Sequence, residues 1–142
     1  MGSILSSLTG GGEAAASESA SAEASGTSRV TAFHSSHRWQ LHFNSSKQLN
    51  KLIVVDFSAT WCGPCKFMKP IFNEMSSKYT DVDFAKIDVD ELSDVAKEFG
   101  VQAMPTFVLF KQGKEVERVV GAKKDDLEKK ILKHREAPKF AA

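Results

Sequence analysis

Ile53-Val54-Val55-Asp56-Phe57, followed after three residues by Trp61-Cys62-Gly63-Pro64-Cys65-Lys66, is the stretch on which the fold turns. An apolar run broken only by Asp56 predicts a central strand covered on both faces. Pro64 has no backbone N–H and a φ preset for a first helical turn, so the chain should pass from strand into helix at the cysteines. Cys62 then stands at a helix N-terminus. Unpaired N–H groups and the positive end of the helix dipole favour an anion there, which lowers the proton affinity of a thiol. The thiolate is the form that attacks disulfides, so the pair points to thiol-disulfide exchange.

Outward from this stretch, Val82–Val89 and Thr106–Phe110 read as further buried strands, and Val116–Val120 as the partner of a hairpin through Lys111-Gln112-Gly113. The helix from Cys62 to about Lys78 places Phe67, Met68, Ile71, Phe72 and Met75 on one face, with a kink expected at Pro70. A second helix is expected from Asp90 or Glu91 to Phe99, capped by Gly100. A third runs from about Lys124 to His134, with Asp125 and Asp126 opening it and Lys129, Lys130, Lys133 and His134 closing it, the charge order that the dipole prefers. Between residues 30 and 50, Trp39, Leu41 and Phe43 alternate like a strand, yet Trp39 and Phe43 also share a helix face; local pattern leaves both open. Strands alternating with helices, then a hairpin, imply an α/β sandwich on a mixed sheet.

The chain has 142 residues, 42% of them hydrophobic, and a net charge of +1. That is enough for one domain, and no basic stripe with interleaved aromatics suggests nucleic acid. Two cysteines are too few for a disulfide scaffold, and their spacing suits redox chemistry in a reducing compartment. No apolar run approaches the roughly 18 residues of a membrane span, and the start lacks the basic and long apolar regions of a secretory signal. Residues 1–28 are rich in Ser, Ala and Gly and contain Glu13, Glu18 and Glu23 without Lys or Arg. Such a composition cannot offset its ordering entropy, so 1–29 is expected to be a disordered extension, 30–135 the domain and 136–142 a flexible tail.

Each chemical candidate has a rival. Cys62 and Cys65 form half of many zinc sites, and His34 and His37 repeat their spacing. The histidines adjoin an unrelated segment with no turn chemistry to aim them, so no metal is expected. Asp56 should be buried with a raised pKa and able to move protons if it faces the cysteines; otherwise it marks a strand end in solvent. Lys86 is the odd polar residue of its strand, a partner for Asp56 or a snorkelling lysine. Trp61 is either core or an exposed platform beside the cysteines. Pro105 precedes a strand, where either isomer is tolerated.

Asp56 in its apolar strand, the run Trp61 to Lys66, Pro70, Met104-Pro105-Thr106 and Gly121 together closely resemble thioredoxin, in order and over residues 30–135. Phe57-Ser58-Ala59-Thr60-Trp61 and the Gly2-led extension resemble the plant h-type members with an N-terminal extension. The resemblance implies a thioredoxin fold, a mixed five-stranded sheet flanked by four helices, with a helix after Ser35. It implies a cis bond before Pro105, an exposed nucleophile Cys62 and a buried resolving Cys65, with Gly63 and Pro64 shaping the pair. Asp56, supported by Lys86, would transfer protons at Cys65. Trp61, Met104, Pro105, Val120 and Gly121 would line the target surface. Ser58 stands where bacterial members commonly have tryptophan, which bears on fine tuning of the site.

The implied function is reduction of disulfides in target proteins by dithiol exchange, with no bound cofactor beyond the redox-active disulfide. Electrons would come from NADPH through a thioredoxin reductase; members reduced by glutathione and glutaredoxin carry an extra N-terminal cysteine that is absent here. Gly63-Pro64 and the lack of a secretory signal argue against a disulfide isomerase or oxidase. A non-catalytic, chaperone-like use of the apolar surface is the rival from another class, and it predicts full activity without either cysteine. Met1-Gly2-Ser3-Ile4-Leu5-Ser6 matches the myristoylation pattern at Gly2. One acyl chain gives only weak, reversible membrane contact, so a cytoplasmic protein with endomembrane or plasma-membrane association is expected. Mitochondria are the alternative address, poorly matched by three glutamates and no arginine before Arg29.

Overall fold

The structure, a computed structural model, describes residues 28–135. The expectations for the extension before Ser28, Gly2 acylation included, and for 136–142 lie outside the described residues. In chain order the elements are β1 (Thr31–Phe33), α1 (Ser36–Ser46), β2 (Leu52–Ser58), α2 (Gly63–Lys78), β3 (Asp83–Asp88), α3 (Ser93–Glu98), β4 (Thr106–Lys111), β5 (Lys114–Val120) and α4 (Lys124–His134). The strands form one five-stranded sheet in the order β1-β3-β2-β4-β5. β1 and β2 run parallel to β3, whereas β4 is antiparallel to both β2 and β5.

β2 is buried along its whole length because helices cover both faces of the sheet. Its odd-numbered residues Ile53, Val55 and Phe57 pack with Trp39, Phe43, Leu92 and Val95, the layer of α1 and α3. Its even-numbered residues Leu52 and Val54 pack with Met68, Phe72, Leu127 and Ile131, the layer of α2 and α4. Asp56 continues the even-numbered row, so period-2 alternation turns it toward α2. Lys86 follows Phe84 on the same face of β3, in register with Asp56.

The open segment is a helix from Ser36, capped by the Ser35 hydroxyl accepting from the Arg38 N–H. Tertiary packing decides it: Trp39 meets Phe33 edge-on at 5.5 Å and stacks with Phe43 at 5.4 Å, while Leu41 stays exposed. β1 is only three residues long, with Phe33 alone buried, and leaves no sequence pattern of its own. Residue 90 or 91 is not the start of α3. The Asp88 carboxylate accepts from the Asp90 and Glu91 N–H groups, holding a turn there, and the helix begins at Ser93. Phe67 departs from the expected apolar face and is exposed. α2 continues through Pro70 as one helix. The β4–β5 turn has positive φ at both Gln112 and Gly113, the primed geometry that suits a two-residue hairpin.

Candidate active site

Cys62 is the N-cap of α2, with extended backbone, Pro64 in the first turn and its sulfur accepting from the Cys65 N–H at 3.2 Å. This is the position an N-cap oxygen usually takes, and it gives a thiolate a fixed donor. The two sulfurs are disulfide-bonded, with Cα atoms 5.3 Å apart. Both cysteines are buried in this oxidised form, Cys62 at 5% exposure and Cys65 at 7%, so the expected exposed Cys62 is not observed. Ala59, Val89 and Met104 pack around the pair and cover it.

Surroundings distinguish the sulfurs where exposure does not. Cys62 Sγ lies 3.6 Å from the carbonyl oxygen of Met104, in the loop that enters β4 through the cis bond to Pro105. Cys65 instead lines a cavity of about 220 Å³ with Asp56, Ser58, Lys66, Lys69 and Lys86. Asp56 is 4% exposed, and its Oδ1 has no hydrogen-bond partner. Burial pushes its carboxyl up to about 7, against the opposing pull of the Lys86 charge. A proton acceptor poised near neutrality thus shares a cavity with one sulfur of the pair.

Trp61 adjoins Cys62 in the chain, and Met104 packs against it. Trp61 is 66% exposed, so the platform alternative holds, and its indole N–H donates to Asp90 Oδ2 at 2.8 Å. Val120 is exposed and Met104 half-buried. Gly121 has φ 104, and its N–H donates to the Pro105 carbonyl at 2.8 Å, tying the end of β5 to the cis-proline loop. Gly63 has open space where a Cβ would stand.

Local pattern could not reveal Asp90, which lies 29 residues from its indole partner, or the cavity-lining role of Ser58, Lys69 and Asp88. Lys66 was visible in the cysteine motif but not as a cavity wall. Of the two histidines that repeat the cysteine spacing, His34 pairs with Glu91 at 2.9 Å, and His37 sits exposed on α1. Among the described residues no group of three or more His, Cys, Asp and Glu side chains converges, and no helix is long and apolar enough to cross a membrane.

The family model for thioredoxin matches residues 32–133. Thioredoxin H2 of Arabidopsis thaliana is 60% identical over 135 residues, covering 95% of this chain and 99% of that protein. The crystal structure of a thioredoxin from Nicotiana alata is 80% identical, with a TM-score of 0.78, covering 85% of this chain and all of the other. A poplar thioredoxin h is 38% identical with a TM-score of 0.70, covering 74% of this chain and 95% of that one. Fold, paired cysteines and similarity agree: the chain belongs to the thioredoxin family, on the side of its plant h-type members, and is a thiol-disulfide oxidoreductase that reduces protein disulfides through Cys62 and Cys65.

Proposed function

We propose that the two sulfurs divide the reaction, Cys62 attacking and Cys65 resolving. The observation that carries this is the placement of Cys65, and not Cys62, on the wall of the Asp56 cavity. In the reduced protein the Cys62 thiolate attacks one sulfur of a target disulfide. A mixed disulfide forms, and the other target sulfur leaves as a thiolate that takes a proton from solvent. Asp56 then accepts the Cys65 proton, and the Cys65 thiolate attacks Cys62 Sγ. The Cys62–Cys65 bond forms, and the remaining target sulfur departs with its electron pair. Two electrons have passed to the target, and the protein is left oxidised. Lys86, in register with Asp56, favours the charged carboxylate and so offsets part of its burial.

Trp61, Met104, Val120 and Gly121 offer a shallow apolar surface around Cys62, which suits protein targets of varied sequence. An NADPH-dependent thioredoxin reductase, the donor that family membership implies, restores the dithiol. The test is NADPH oxidation coupled to reduction of a protein disulfide with a plant thioredoxin reductase. Turnover is expected with the wild type and none with Cys62→Ser; turnover with that variant would overturn the assignment.

The proposal extends to address. The motif from Met1 to Ser6 supports acylation of Gly2, and one acyl chain supports reversible membrane contact of a cytoplasmic protein. Gly2→Ala is expected to shift the protein to the soluble fraction, and unchanged partitioning would remove the idea.

A further inference from the structure

Phe67 is 60% exposed, while Met68, Phe72 and Met75 of the same helix are buried. A single apolar side chain in solvent is ordinary, so its neighbours decide whether it has a use. Gly63 and Pro64 open α2 three and four positions before Phe67 and therefore share its face. Both are exposed. Helical Cα–Cβ bonds tilt toward the N-terminus, which inclines the Phe67 ring over that first turn and toward the disulfide.

Reduction of a protein disulfide requires a target sulfur to reach Cys62, which is only 5% exposed. Ala59, Val89 and Met104 pack around the pair, whereas a Cβ added at Gly63 would meet nothing within 4 Å. The glycine thus leaves an open approach beside Cys62, and a polypeptide entering over it meets Phe67 next. Distance sets which target residue the ring meets. Phe67 lies four residues beyond Gly63, about 6 Å along the helix axis. An extended peptide advances about 3.3 Å per residue, so this corresponds to about two positions from the attacked cysteine. One turn further the apolar stripe ends, where half-buried Ile71 borders a cavity of about 170 Å³ lined by Glu74, Lys78, Lys124 and Glu128.

We propose that Phe67 is a specificity-determining residue, whose ring receives a bulky apolar side chain two positions from the attacked cysteine of a protein target. Targets built this way are reduced faster than targets with a small polar residue there. The inference rests on Cys62 being the attacking sulfur.

The probes that test it are disulfide-linked dimers of two pentapeptides, Leu-Gly-Cys-Gly-Leu and Ser-Gly-Cys-Gly-Ser, whose symmetry covers both chain directions. The pre-reduced full chain, freed of reductant, is mixed with excess dimer, and peptide thiol release is followed. The leucine dimer should be reduced about fivefold faster than the serine dimer, the order expected for partial burial of one apolar side chain. Phe67→Ala should remove that preference by slowing the leucine dimer alone, and Phe67→Leu should keep most of it. No preference in the wild type, a preference that survives Phe67→Ala, or equal slowing of both dimers by Phe67→Ala would overturn the contact, the last by placing the effect on the cysteines. Cys62→Ser is run alongside. Reduction of either dimer by that variant as fast as by the wild type would overturn the attacking role of Cys62 and the inference with it, whereas the other outcomes overturn the Phe67 contact alone.

Discussion

Asp56 and Cys65 wall the same cavity, one from the middle of the sheet and one from the first turn of α2. A carboxyl raised to about 7 in the cavity that one sulfur of the redox pair lines links the stability of the fold to its chemistry.

Stability should therefore depend on pH through Asp56. Its folded pKa lies above the ordinary value of 3.8, so between about pH 4 and 7 the folded state holds the proton more tightly than the unfolded chain. Stability falls as pH rises through that window and is lowest above it. Asp56→Asn removes the penalty of a buried charge, and three pKa units correspond to roughly 4 kcal/mol. Urea unfolding should show the variant more stable by that order at pH 8, with the gain gone by pH 4.

The same variant should be slow to resolve. In single-turnover mixing with a disulfide target, release of the reduced target is expected to accelerate as pH rises through about 7 in the wild type. Asp56→Asn should lose that inflection and slow by about 10²-fold, the lower end of what a positioned base supplies. Formation of the mixed disulfide should change little, which separates a proton-transfer role from general damage.

Cys65→Ser should accumulate mixed disulfides with targets on non-reducing gels, and Cys62→Ser should not. Trapping by Cys62→Ser instead would reverse the assigned roles.

Asp90→Ala removes the acceptor of the Trp61 indole while leaving the cysteines untouched. The ring loses its anchor, so KM for a protein target should rise about fivefold, the worth of one exposed hydrogen bond, with kcat unchanged. Trp61 fluorescence should report the freed ring.

Gly121→Ala meets no close atom, since the nearest, on Lys123, is 3.8 Å from the added Cβ; the obstacle is the φ of 104. The substitution should cost about 1–3 kcal/mol, read as a lower urea midpoint at constant slope. Target affinity should drop with it, because the Gly121 N–H holds the Pro105 carbonyl.

Strand β2, the helix after Pro64, the hairpin and α4 were legible because their signals are local. Apolar periodicity, a proline at the first turn, and charges ordered along a dipole lie within a few residues of one another. α1 was ambiguous because Trp39, Leu41 and Phe43 fit two periods. The contacts of Trp39 with Phe33 and Phe99 choose between them, and Phe99 lies far along the chain in the segment that follows α3. Asp88 delayed α3 through a side-chain turn that apolar spacing does not register.

The candidate site divides the same way. Cys62-Gly63-Pro64-Cys65, read with Asp56, Pro105 and Gly121, determined the chemistry and the family, because each is a residue type whose conformation or proton affinity is special in itself. Only the tertiary structure decided that Trp61 is exposed and held by Asp90, that both sulfurs are covered in the disulfide, and that Cys65 rather than Cys62 faces the buried acid. The reason is physical. Solvent exposure and the desolvation that shifts Asp56 depend on atoms brought together from separate strands, helices and loops, and no stretch of sequence contains them all.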